Sequence, residues 1–61
     1  MSKYVYIKTF NNFASSIECN EFHYNNVRVE STGGFLTLYD KDGGLTFRCH
    51  INDIAKFMKE D

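Results

Sequence analysis

Proline and tryptophan are absent from the 61 residues, cysteine occurs twice, and neither sign of charge prevails. Each shortage removes a class of protein. Cys19 and Cys49 are too few for a disulfide framework and form no C-x-x-C pair. Seven basic against eight acidic side chains give a net charge of −1 with no basic cluster, so nucleic acid is not an expected partner. No apolar run approaches the length needed to cross a membrane. The first ten residues, MSKYVYIKTF, alternate and lack the apolar stretch of a signal peptide, so a cytoplasmic chain is expected.

Catalytic machinery is equally scarce. There is no G-x-S-x-G elbow and no phosphate-binding glycine loop. A chain of 61 residues also has little material from which to build a water-excluding pocket. The reading is non-enzymatic, with no catalytic residue, cofactor or metal. Cys19, His23, Cys49 and His50 cannot easily be summed into a zinc site, because neighbours on a strand such as Cys49 and His50 point to opposite faces. Asp40-Lys41-Asp42-Gly43-Gly44 fails as a calcium loop, since the later ligand positions are Gly44 and Ile51.

What is present is concentrated in residues 26–51, which read as three antiparallel strands separated by two Gly-containing turns. Centring the second turn on Asp42-Gly43 pairs Leu38 with Phe47, Leu36 with Cys49, Thr37 with Arg48 and Phe35 with His50. Centring the first on Thr32-Gly33 pairs Val29 with Leu36, Val27 with Leu38, Arg28 with Thr37 and Glu30 with Phe35. Both choices put Val27, Val29, Leu36, Leu38, Leu45, Phe47, Cys49 and Ile51 on one uncharged face. That face is the predicted core.

The flanking segments extend this meander. Residues 3–10 alternate as a strand, with Val5 and Ile7 on one side and Tyr4, Tyr6 and Phe10 on the other. Asn11-Asn12 should end it. Residues 13–21 suit a short helical turn or a strand equally well. Phe22 and Tyr24 alternate in a phase opposite to Val27 and Val29, which calls for a turn or a bulge at Asn25-Asn26. The turn is the preferred reading; it would pair Tyr24 with Val27, Phe22 with Val29 and Glu21 with Glu30. After Ile51 the period changes: Asn52 and Asp53 are good caps, and Ile54, Phe57 and Met58 fall on one helical stripe.

The expected architecture is therefore a single small α+β domain spanning residues 1–61. Four or five antiparallel strands form a meander, with room to curl into a partly closed, SH3-like barrel. A short C-terminal helix lies across the apolar face.

The other face is where a function can reside. It carries Arg28, Phe35, Thr37, Tyr39, Arg48 and His50, together with Glu30 and Thr46. Aromatics and arginine are the residue types enriched at interface hot spots. The bland alternative is that a neighbouring strand or residues 11–20 simply cover Phe35 and Tyr39. His50 and Glu30, flanking Phe35, form the one outward acid–base pair available, and a satisfied surface histidine is the simpler account. Tyr4 and Tyr6 form a second strip suited to self-association, and a homodimer is expected for so small a core.

The leading reading is a module that binds another protein. Its composition, rich in asparagine and free of proline and tryptophan, resembles the small proteins of phages and mobile elements. Many of those inhibit host enzymes or defence proteins, and the resemblance implies a similar blocking role. Two other classes stay open: a single-strand nucleic-acid binder that stacks bases on its aromatics, and a structural homo-oligomer subunit.

Overall fold

The structure, a computed structural model, describes residues 1–13 and 16–61, with side chains described for 1–10 and 20–61. Five strands make one antiparallel sheet: β1 (Ser2–Phe13), β2 (Ser16–Thr32), β3 (Phe35–Tyr39), β4 (Leu45–His50) and β5 (Ile54–Glu60). Their order across the sheet is β4-β3-β2-β1-β5. A single 3₁₀ turn, η1 (Ile51–Asp53), joins β4 to β5. Only three residues therefore connect strands at opposite ends of the order, so the sheet must roll until those ends approach. One core fills the roll.

Long β2 makes the roll possible. Its first part pairs with β1, from Phe13↔Ser16 to Ser2↔Val27, and its last part with β3, from Arg28↔Tyr39 to Thr32↔Phe35. Between them Asn26 takes φ 57, a left-handed value that asparagine accepts more readily than most residues. The predicted turn at Asn25-Asn26 is therefore a kink within one strand. It reverses the strand's phase, so that Phe22, Tyr24, Val27 and Val29 all face the core. Glu21 lies opposite Lys8 rather than Glu30. Residues 16–21 resolve as strand, β1 runs past Asn11-Asn12 to Phe13, and Ala14 and Ser15 lie outside the described residues.

The expected C-terminal helix does not form, and the α+β class is corrected to an all-antiparallel sheet. β5 pairs with β1 through Tyr4↔Glu60, Tyr6↔Met58, Ile7↔Phe57 and Thr9↔Ile54, with a register shift at Lys8/Thr9. That shift leaves Ala55 as an extra residue. It lets Ile54 and Phe57, three apart, share the core side, the same spacing that a helical stripe would show. Met58 falls on the other side. A seven-residue helix is marginal in water, whereas β1 offers an open row of backbone donors and acceptors. The strand wins.

The hairpins correct two further details. Pairing across β3–β4 follows Phe35↔His50, Leu36↔Cys49, Thr37↔Arg48 and Leu38↔Phe47, as the sequence reading has it. Across β2–β3 the partners differ: Val29 meets Leu38, Ser31 meets Leu36 and Glu30 meets Thr37. The turn is Gly33-Gly34, both glycines with positive φ (61 and 82), one residue later than expected. Because this moves each residue's partner by two, every facing is preserved.

The β3–β4 connection is not the tight turn expected but the five residues 40–44. Asp40 Oδ1 accepts from the backbone N–H of Asp42 (2.9 Å) and of Gly44 (2.8 Å). At Gly44 a Cβ would come within 2.7 Å of that carboxylate, so any side chain there would have to push the Asp40 carboxylate out of the loop it closes. The longer loop shifts the register so that Tyr39 opposes Leu45. Leu45 is thereby turned away from the core and is 64% exposed. Ile51, also expected in the core, is 42% exposed in η1.

Val5, Ile7 and Leu38 at 0% exposure, with Val27 and Leu36, form the buried centre. Phe22, Tyr24, Val29, Phe47, Cys49 and Ile54 pack around it. The ring centroids of Phe22 and Tyr24 lie 5.0 and 5.8 Å from that of Phe47, which ties β2 to β4 across the roll.

Candidate functional site

Alternation on β2, β3 and β4 brings nine side chains onto the outward face. Arg28, Glu30 and Thr32 come from β2; Phe35, Thr37 and Tyr39 from β3; Leu45, Arg48 and His50 from β4. Of the eight residues expected there, seven are on it; Thr46 is passed over by the register shift between Leu38 and Tyr39, which sets Leu45 opposite Tyr39. Leu45 and Thr32 join them, and neither is visible from the sequence pattern. Only the Asp at the start of the 40–44 loop hints at Leu45, because a carboxylate that closes a longer loop displaces the strand that follows.

Each aromatic on the middle strand is covered by a guanidinium. Arg28 Cζ stands 4.6 Å from the Tyr39 ring centroid, and Arg48 Cζ stands 4.3 Å from that of Phe35. Such stacks are worth about 0.5–1 kcal/mol at exposed sites and hold the side chains in place. Thr37, between the two aromatics, is left only 9% exposed. Phe35 and Tyr39 are half-buried, and among the described residues no other strand lies across them.

The charges on this face differ in their pairing. Arg28 forms a 3.0 Å ion pair with Glu30, two residues along its own strand. Among the described residues Arg48 has no carboxylate partner. Beside it Thr32, Thr37, Tyr39 and Leu45 line an open hollow of about 430 Å³. The face offers one half-satisfied cation, an exposed leucine and a shallow dip between them.

His50 does different work from the outward acid–base role considered above. Its Nδ1 accepts from the Asn52 N–H at 3.1 Å and so caps η1, while its ring meets Phe35 edge-on at 5.2 Å. Glu30, opposite Thr37, is not its neighbour across Phe35. The pair is not assembled.

Tyr4 and Tyr6 lie on the outer side of the β1–β5 half. The Tyr4 hydroxyl shares a 2.6 Å hydrogen bond with Nδ1 of His23, and the Tyr6 hydroxyl donates to Glu21 at 2.5 Å. The His23 ring lies 5.1 Å from Tyr6 and 6.0 Å from Tyr4. Cys49 is a free thiol, half-buried on the core side, and its pKa is raised, first by burial and then by the nearby Asp53 carboxylate. Burial likewise raises Tyr24. Among the described residues no three His, Cys, Asp or Glu side chains converge as a metal site would require, and no helix is long and apolar enough to cross a membrane.

Comparison with protein families, curated proteins and solved structures finds no match to this chain.

Proposed function

We propose that the chain is a non-enzymatic module that binds another protein through the outward face of β2–β3–β4. The observation that carries this reading is the pre-stacked pair of aromatics under Arg28 and Arg48, next to an open hollow with an exposed leucine. Side chains already held in their contact geometry lose less entropy when a partner docks. Arg48, whose charge is unpaired among the described residues, asks for a carboxylate. The fitting partner surface presents an acidic side chain beside an apolar one, the first for Arg48 and the second for the hollow floored by Thr37 and edged by Leu45. Acting in the cytoplasm by occupying such a surface, the module would work as an inhibitor of a host enzyme or defence protein works.

Single-strand nucleic acid fits this face less well. The ring faces that would stack bases are already taken by the protein's own guanidinium groups. One of the two arginines is also neutralised by Glu30.

Parallel affinity captures from the native host, with wild type, Arg48→Ala and Tyr39→Ala, test the proposal. A protein retained by the wild type and lost with both variants supports it, each substitution lowering affinity by about 1–3 kcal/mol. Capture that is indifferent to both substitutions overturns the assignment of the face. Tight, salt-sensitive retention of single strands overturns it in favour of nucleic acid.

A further inference from the structure

A different surface, the free edge of β5, carries a second inference. β5 closes one side of the sheet order and, among the described residues, has β1 as its single neighbour. Its outer side presents Lys56, Met58 and Glu60, and all three are exposed. Met58 is 51% exposed and lies directly beside Tyr6, with Tyr4 beside Glu60. Lysine on an edge strand ordinarily discourages pairing with another chain. Here the charge of Lys56 is answered four residues later by that of Glu60, with an apolar residue midway.

We infer that β5 pairs with β5 of a second copy of this chain, antiparallel, about a two-fold axis at Met58. This register sets Lys56 of each copy opposite Glu60 of the other and places the two Met58 side chains against each other. On the core side it sets Phe57, itself 36% exposed, against the aliphatic stem of Lys59. Registers centred one residue to either side lose the match. Centring on Phe57 sets Lys56 against Met58, and centring on Lys59 sets Met58 against Glu60. Centring on Lys56 opposes two lysines.

Two observations support this joint over the other edge. β4, the opposite end of the sheet order, has Arg48 and no acidic residue among Leu45–His50, so it cannot answer its own charge. Among the described residues neither Lys56 nor Glu60 has an ion-pair partner within its own chain. The end of β5 is also kept flush with the sheet. Ser2 Oγ donates to Asp61 Oδ1 at 2.9 Å, and Lys59 reaches Asp61 at 3.9 Å. Across the joint the rings of Tyr6 and the two Met58 side chains make a continuous strip, through contacts that sulfur and aromatic rings favour.

Light scattering on the purified full chain, from low to high micromolar, tests this inference independently of the protein-binding face. The wild type is expected to dimerise across that range. Lys56→Glu and Glu60→Lys each replace two attractive cross-pairs by two repulsive ones, and each should weaken dimerisation by about tenfold or more. The double variant, which swaps the charges, should recover the wild-type behaviour. So should an equimolar mixture of the two single variants, because each supplies what the other lacks. Circular dichroism of every variant verifies that its strands are intact. A wild type that stays monomeric at high micromolar concentration overturns the inference. So does a dimer that the single substitutions leave unchanged, or a double variant that stays as weak as the singles.

Discussion

The two halves of the rolled sheet use the same alphabet of aromatics and charges to different ends. On the β2–β3–β4 half, arginines lie over Tyr39 and Phe35 and leave an open hollow. On the β1–β5 half, tyrosine hydroxyls are spent on His23 and Glu21, which knit the surface across β1 and β2. The first arrangement leaves hydrogen-bonding capacity pointing outward at Arg48, because a guanidinium stacked on a ring keeps its N–H edges free, while Arg28 spends part of its own on Glu30. The second turns that capacity inward. On the proposed function, a binding face and a framework face are told apart by where their donors point rather than by composition.

Both halves depend on one core, and the substitution Leu38→Asp probes that dependence most strongly. It places a charge at a fully buried point in contact with both halves, and the cost of several kcal/mol against a total of about 5–15 should unfold the whole domain. Thr37→Asp, one residue away on the outward face beside Arg48, should cost about 1 kcal/mol in a urea titration, since its carboxylate would gain a cation. Equal losses would mean that β3 is not two-sided.

A step smaller, Ile7→Ala and Leu38→Ala should each cost about 2–5 kcal/mol. In amide exchange each should lower protection on both halves together. If Ile7→Ala loosened only β1 and β5, the halves would be separate units and the single core would be wrong.

The kink that joins the halves gives a lesser effect. Asn26→Ala keeps a β-carbon in the left-handed region but loses the short amide that makes asparagine tolerant of it, and should cost about 1 kcal/mol, while Asn26→Gly should be close to neutral. Loss of stability with glycine as large as that with alanine would mean that the Asn26 side chain, rather than its backbone angle, matters.

The smallest expected effect is a pH dependence confined to the core side. Cys49 and Tyr24 have raised pKa values in the fold, so both keep a proton there that the unfolded chain releases earlier. Their contribution is fully present below about pH 8.5, the ordinary range of a free thiol, and is lost as pH rises through the folded values. Tyr24 adds to that loss above about pH 10. Cys49→Ala should flatten the first part of the alkaline decline in thermal melts, and an unchanged slope would clear Cys49 of any part in it.

Local alternation settles which way residues face within each hairpin. Alternation of Val27, Val29, Leu36, Leu38, Phe47 and Cys49 commits one side of each strand to the core, and a mistake in the turn by one position leaves that commitment intact. The outward set Arg28, Phe35, Thr37, Tyr39, Arg48 and His50 follows from the same parity. Most of the remaining features depend on strands that are distant in the chain. The i, i+3, i+4 spacing of Ile54, Phe57 and Met58 is shared by a helix and by a bulged strand, and the choice lay with the unpaired edge of β1, some fifty residues earlier in the chain. The reversal at Asn25-Asn26 was legible as a break in phase. Whether it turned the chain back or merely kinked it depended on β1 and β3 being there to pair with either end of β2. The place of Leu45 depended on a carboxylate closing the loop before it. Periodicity records what a residue's immediate neighbours require, whereas an open hydrogen-bonding edge is supplied by a distant strand and leaves no mark at the position that will satisfy it.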